Sequence, residues 1–324
     1  MRTLLLANTI LVLSMAVATA AAAWTRPAHM VSAAIAYDEI ATTRPDLLIT
    51  IAELLDAHPD RAPFEVAIDR SVGAERDRRM FLECARWPDD ARRTAYDHPS
   101  WHLSASPVIA ADATDATRAS LAERRHETSG QALQGLTLNL GVMANTRATP
   151  SERALALCWV LHVVGDLHQP LHTAELYSAA YPEGDLAGSR QFVLDPQTRA
   201  PITLHWLWDD SVHRYGDAAS VSSRAKALKE RYPRLALSEL KAPTMADTTV
   251  FAAREESYAI ARSFAYGGEL VTGQTEATAP PVPERYWRAL RDLSERRVAV
   301  AGYRLADLVI GAVGEKAASR TTER

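Results

Sequence analysis

From Ala154 to Leu167 the chain is apolar except for two side chains, His162 and Asp166, four residues apart. Pro150-Ser151-Glu152 opens the run with a proline near its first turn and Pro170 closes it, a pattern that predicts a helix. Positions four apart on a helix project from one face. A histidine and an aspartate on so apolar a helix are carried into an interior where unpaired polar groups are costly. A metal ion that takes both as ligands removes that cost. His172, just past the proline, can fold back toward the same region. In Leu204-His205-Trp206-Leu207-Trp208-Asp209 the pair His205 and Asp209 repeats the spacing. One His-x3-Asp pair alone reads as a satisfied helical hydrogen bond. Two pairs and a further histidine, all flanked by apolar residues, point to a metal site.

The rest of the chain is also mostly helical in periodicity. Helices are predicted over His29–Thr42, Phe64–Ala85, Ala116–Ala144, Ser222–Arg231, Asp247–Gly267 and Pro283–Ile310. Strand signals are scarce, and no repeat or low-complexity linker divides the sequence. The expected fold class is therefore all-α, a single mainly helical domain. The exception is Ala174 to Leu204, which holds Pro182, Gly184, Gly188, Pro196 and Pro201 around a strand-like Gln191-Phe192-Val193-Leu194. It reads as a long irregular loop or small hairpin.

Residues Met1–Ala23 have the form of a secretory signal: Arg2, an apolar run from Leu4 to Val17, and Ala21-Ala22-Ala23 as a small-residue cleavage pattern. The run is too short and too polar, with Asn8, Thr9 and Ser14, to be a membrane anchor. Cleavage after Ala23 makes Trp24 the mature N-terminus and the product periplasmic or secreted. A free α-amino group there is a nitrogen ligand. The chain carries 36 Lys+Arg against 40 Asp+Glu, which excludes a strongly basic nucleic-acid-binding surface. Ten histidines against two cysteines direct any metal site toward nitrogen and oxygen ligands. Cys84 and Cys158 fit either one disulfide in an oxidising compartment or two small buried side chains. The polar residues 315–324 read as a frayed tail.

In this order the residues resemble the S1/P1 nuclease family, three-zinc phosphodiesterases related to zinc phospholipase C. The resemblance rests on Trp24 followed five positions later by His29, on Trp87-Pro88-Asp89, on Trp101-His102, on His162, Asp166 and His172 as His-x3-Asp-x5-His, and on His205 with Asp209. It spans nearly the whole mature chain and implies a nuclease domain over residues 24–314. It further implies that Asp89, His102, His162 and Asp166 hold one zinc. Trp24, through its amino nitrogen and carbonyl oxygen, holds a second with His29, and Asp166 bridges the two. His172, His205 and Asp209 hold the third.

The function implied is cleavage of single-stranded DNA or RNA to 5′-phosphorylated nucleotides, with 3′-nucleotidase activity, by zinc-activated hydroxide attack on phosphorus. Asp89, Arg92 and Asp166 are the implied catalytic residues. Arg92 matches a family arginine that reaches the phosphate, while its plain reading is a solvated neighbour of Arg93. The substrates are single-stranded nucleic acid and 3′-nucleotides. A monomer with no stable protein partner and no membrane anchor is expected. Two segments depart from the family: Leu103 and Ala105 replace an aromatic and an Asp that contact the base in fungal members, and Ala187-Gly188-Ser189 replaces a Gly-Gly-Asn loop. A zinc phospholipase C and a non-catalytic zinc-binding protein are the alternative readings. His58, His98, His126 and His213 read as surface residues, and His168 as at most a support for the ligands. Trp206 and Trp208 read as packing residues.

Overall fold

The computed structural model describes residues 24–68, 70–123, 129–212, 217–241 and 246–321. Residues 1–23, read from the sequence as a secretory signal, and His126 and His213 lie outside them. Among the described residues the helices are α1 (Arg26–Thr43), α2 (Leu47–Asp56), α3 (Ala62–Ala67), α4 (Gly73–Asp90), α5 (Asp115–Glu123), α6 (Ala132–Ala144), α7 (Pro150–His168), α8 (Leu204–Asp209), α9 (Ala218–Arg231), α10 (Ala246–Ile260) and α11 (Glu284–Thr321). Four short strands accompany them: β1 (Ser106–Ile109), β2 (Ala174–Tyr177), β3 (Phe192–Leu194) and β4 (Pro201–Thr203). The chain is thus mainly helical, as expected.

Helix α7 is the axis of the molecule. Thr149 accepts a hydrogen bond from Glu152 N while the Glu152 carboxylate accepts from Thr149 N, a reciprocal cap that sets where the helix starts. Every residue from Ala156 to His168 is buried, because α4, α6, α10 and α11 surround it. A helix covered on all sides shows no polar face, which is why this stretch is apolar throughout. A disulfide between Cys84 of α4 and Cys158 of α7 joins two of these helices.

Several predicted helices are divided or extended. Phe64–Ala85 is two helices, α3 and α4, with Arg70 in a left-handed conformation between them. Ala116–Ala144 is also two, α5 and α6. The backbone at Gly130 has φ +86°, and a Cβ there would lie 2.2 Å from the Leu103 carbonyl oxygen. Tertiary approach, rather than helical propensity, decides that position. α11 continues in helical form to Thr321, well past Ile310 and into the segment read as a tail. The 174–204 region does contain a hairpin, β3 with β4, in the register Phe192↔Thr203. It also contains β2, which pairs in parallel with β1 (Ser106↔Ala174 to Ile109↔Tyr177).

Candidate metal centre

The parallel pair β1–β2 brings two distant ligand segments together. His102 lies just before β1 and His172 just before β2. Their backbones meet through Ser104 N, which donates to the His172 carbonyl at 2.9 Å. His172 Nδ1 in turn donates to the His102 carbonyl at 2.7 Å. α7 contributes His162 and Asp166, α1 contributes His29, and Asp89 comes from the end of α4. α8 presents His205 and Asp209, its first turn capped by Thr203 Oγ1, which accepts from Trp206 N at 3.1 Å.

Asp166 is at the centre, fully buried. Its Oδ1 faces His29 Nε2 at 3.3 Å and His172 Nδ1 at 3.7 Å. Its Oδ2 faces His102 Nδ1 at 3.2 Å and His162 Nε2 at 3.3 Å. The carboxylate thus points one oxygen at each of two imidazole groups. Three sets of ligand-type atoms lie within 4.8 Å of one another: His29 with Asp89 and His162, His102 with His162 and Asp166, and His172 with His205 and Asp209. All of the sequence-derived His and Asp ligands fall in these sets. Trp24 is buried beside them. Its indole nitrogen donates to Gly165 O at 2.9 Å, and Thr25 N donates to Asp209 O at 3.2 Å. Gly165 makes room for His29, since a Cβ there would sit 2.7 Å from His29 Nδ1. The His29 and His162 rings stack at 3.9 Å.

Three imidazoles are oriented by backbone carbonyls. His162 Nδ1 donates to Ala85 O (2.9 Å), His172 Nδ1 to His102 O (2.7 Å) and His205 Nδ1 to Ala187 O (2.6 Å). Each bond fixes the tautomer and turns Nε2 toward the cluster, the usual arrangement around a bound metal. Several buried polar atoms of these residues have no hydrogen-bond partner: both nitrogens of His29, His102 Nε2, Asp166 Oδ1, His172 Nε2 and Asp209 Oδ2. An unsatisfied buried polar atom costs about 1–3 kcal/mol. Six in one place fit a site made for cations, and the nitrogen and carboxylate donors suit zinc.

The electrostatics agree. Burial opposes the charge of Asp166, but His162 and His172 hold it well below the usual carboxylate range. Burial also opposes protonation of His172, yet Asp166 and Asp209 lift it to about 9. His29 and His102 are pushed down by burial. The carboxylates draw positive charge to the cluster.

Arg92 is neither free in solvent nor far from the site. Its Nη2 donates to Asp89 Oδ1 at 2.9 Å at a partly exposed rim. The remaining histidines divide. His98 is exposed, as expected, and stacks on Trp101 at 3.8 Å. His58 is not a surface residue; it is buried between Phe64 and Trp87, with ring centroids at 4.8 and 4.6 Å. His168 is buried but serves α11: Nδ1 donates to Val164 O, and Nε2 accepts from Arg304 at 3.0 Å. Burial, with Arg297 and Arg304 nearby, keeps it neutral. Trp208 is buried, whereas Trp206 is 40% exposed and so is not a packing residue.

A family model described as S1/P1 Nuclease matches residues 24–313. The chain belongs to the S1/P1 nuclease family. Membership makes it a nuclease, a hydrolase acting on nucleic acid. A comparison with curated proteins returned no match. For this S1/P1 family member, no helix among the described residues is long and apolar enough to cross a membrane.

Proposed function

We propose that the chain is an exported zinc phosphoesterase that cuts single-stranded DNA and RNA to 5′-phosphorylated nucleotides and removes phosphate from 3′-nucleotides, as a monomer without a stable protein partner. The observation that carries this reading is Asp166, whose two oxygens face imidazoles on opposite sides, beside a second pair formed by His205 and Asp209. Asp89, His102, His162 and Asp166 would hold one zinc. Trp24, His29 and Asp166 would hold a second, and His172, His205 and Asp209 a third. Zinc in such sites supplies Lewis-acid charge and an activated water at neutral pH.

The chain's own residues have defined tasks. The Ala85, His102 and Ala187 carbonyls hold three imidazoles in the ligating tautomer. Arg92, anchored on Asp89 at the rim of the site, would offer a guanidinium to the charge developing on a phosphate oxygen. The buried indole of Trp24 holds the start of the mature chain against α7, which supports its amino group as a ligand. The slightly acidic balance of the chain, 36 Lys+Arg against 40 Asp+Glu, supports weak affinity for duplex and hence a preference for single strands. The disulfide supports an oxidising compartment and hence export.

The test is an assay of the mature chain, beginning at Trp24, on single-stranded DNA, RNA, duplex DNA, 3′-AMP and phosphatidylcholine. Turnover of single strands and of 3′-AMP is expected, with duplex cut poorly. Turnover of lipid alone would replace the reading with a phospholipase C, and full zinc without turnover would leave a storage protein. A residue added before Trp24 is expected to lower zinc content and activity together.

A further inference from the structure

We propose that Glu175 is a positioning residue for the His172–His205–Asp209 cluster, acting through the loop Leu186–Gly188. The inference rests on the zinc reading above, and Glu175 itself belongs to none of the three clusters.

His205 turns its ligand nitrogen toward the cluster with Nδ1 held by the Ala187 carbonyl, 2.6 Å away. That carbonyl sits in an unusual stretch of backbone. Leu186, Ala187 and Gly188 follow one another with φ of +54°, +54° and +87°. A left-handed conformation costs a residue with a side chain on the order of 1 kcal/mol or more, so two in succession persist only where the surroundings impose them.

Glu175 imposes them. It lies on β2, three residues beyond the ligand His172, and is 6% exposed. Its Oε1 accepts from Leu186 N at 3.2 Å. Its Oε2 accepts from Ser129 Oγ at 3.0 Å and from the Tyr177 hydroxyl at 3.1 Å. The loop approaches so closely that a Cβ on Gly184 would lie 2.4 Å from Oε1. From the other side Asp185 braces the same turn, accepting from Leu176 N at 2.9 Å and from Gln191 Nε2 at 2.7 Å. A carboxylate beside one ligand histidine therefore sets the carbonyl that orients another. Its place on β2 couples the two halves of the cluster.

The experiment measures zinc bound per chain across a series of buffered free-zinc concentrations, with the thermal midpoint and single-strand turnover of the same samples. Glu175→Ala is expected to weaken one zinc equivalent by roughly tenfold and leave the other two in place, with kcat restored by excess zinc. Glu175→Gln keeps an acceptor for Leu186 N and should recover most of the lost affinity. Wild-type zinc affinity in Glu175→Ala would overturn the proposal. So would a loss of all equivalents in step with the thermal midpoint, the signature of a merely structural role. Should Glu175→Ala not fold, Ser129→Ala carries the test: a weaker shift at one equivalent is expected, and no shift would refute it. Zinc is counted without turnover. A wild-type chain that binds three zinc ions and cleaves nothing would sink the function proposed above and leave this inference standing. Absence of a third zinc equivalent in the wild type would overturn this one.

Discussion

His162, His172 and His205 each commit Nδ1 to a backbone carbonyl, whereas His29 has no such bond and is held by ring stacking and by the space over Gly165. Asp166 joins the two arrangements. Asp166→Asn keeps the shape but removes the charge that faces four imidazoles. It should lower zinc content by more than one equivalent and kcat by at least about 100-fold, read by elemental analysis and single-strand assay. His58 gives a separate acid response. Burial lowers it from 6.5 to about 4, so the unfolded chain binds this proton more tightly than the folded one. The neutral folded form is fully stable above pH 6.5, and its stability is lost as the pH falls toward 4, by up to about 3 kcal/mol. In urea titrations at pH 7 and pH 5, His58→Phe should show a drop smaller than wild type by about 2 kcal/mol.

At the scale of elements, the ligand-bearing parts of α7 and α8 were legible because their spacing is local: a cap, a proline stop and two four-residue intervals. The splits between α3 and α4 and between α5 and α6 were not. The first turns on the left-handed backbone at Arg70, and the second on the approach of Leu103 to Gly130, residues far apart in sequence. The β1–β2 pairing was hidden for the same reason, since Ser106–Ile109 alone carries no strand signal and forms one only against Ala174–Tyr177. Burial of His58 was hidden because His-Pro looks like a loop, while its ring fits between two aromatics from α3 and α4. The disulfide staples α4 to α7 close to Ala85, whose carbonyl orients His162. It closes a separation of 74 residues. A double Cys84→Ser, Cys158→Ser variant should lose up to about 4 kcal/mol in denaturant titration, with its zinc affinity reduced.

For the whole molecule, the candidate metal centre draws residues from α1, α4, α7, α8 and the segments before β1 and β2. Cations that bind only the folded form stabilise it by mass action. Chelation should therefore lower the thermal midpoint on the order of 10 °C, reversibly on adding zinc, by calorimetry. A midpoint indifferent to chelator would mean that the fold closes without them. The five histidines proposed as ligands come from a chain with a net charge of −4. Three of its acidic residues, Asp89, Asp166 and Asp209, stand in the candidate clusters, where bound cations would offset their charge.

Gly165 stands inside α7, where glycine costs the helix about 1 kcal/mol relative to alanine. By helix propensity alone, Gly165→Ala is an improvement, and a search for thermostable variants would select it. The added methyl would meet His29 Nδ1 at 2.7 Å and displace that ring. The substitution is expected to leave the metal-free protein no less helical by circular dichroism yet short of zinc. Selection for a sturdier helix and selection for metal capture therefore pull this position in opposite directions, and the glycine records which of them prevailed.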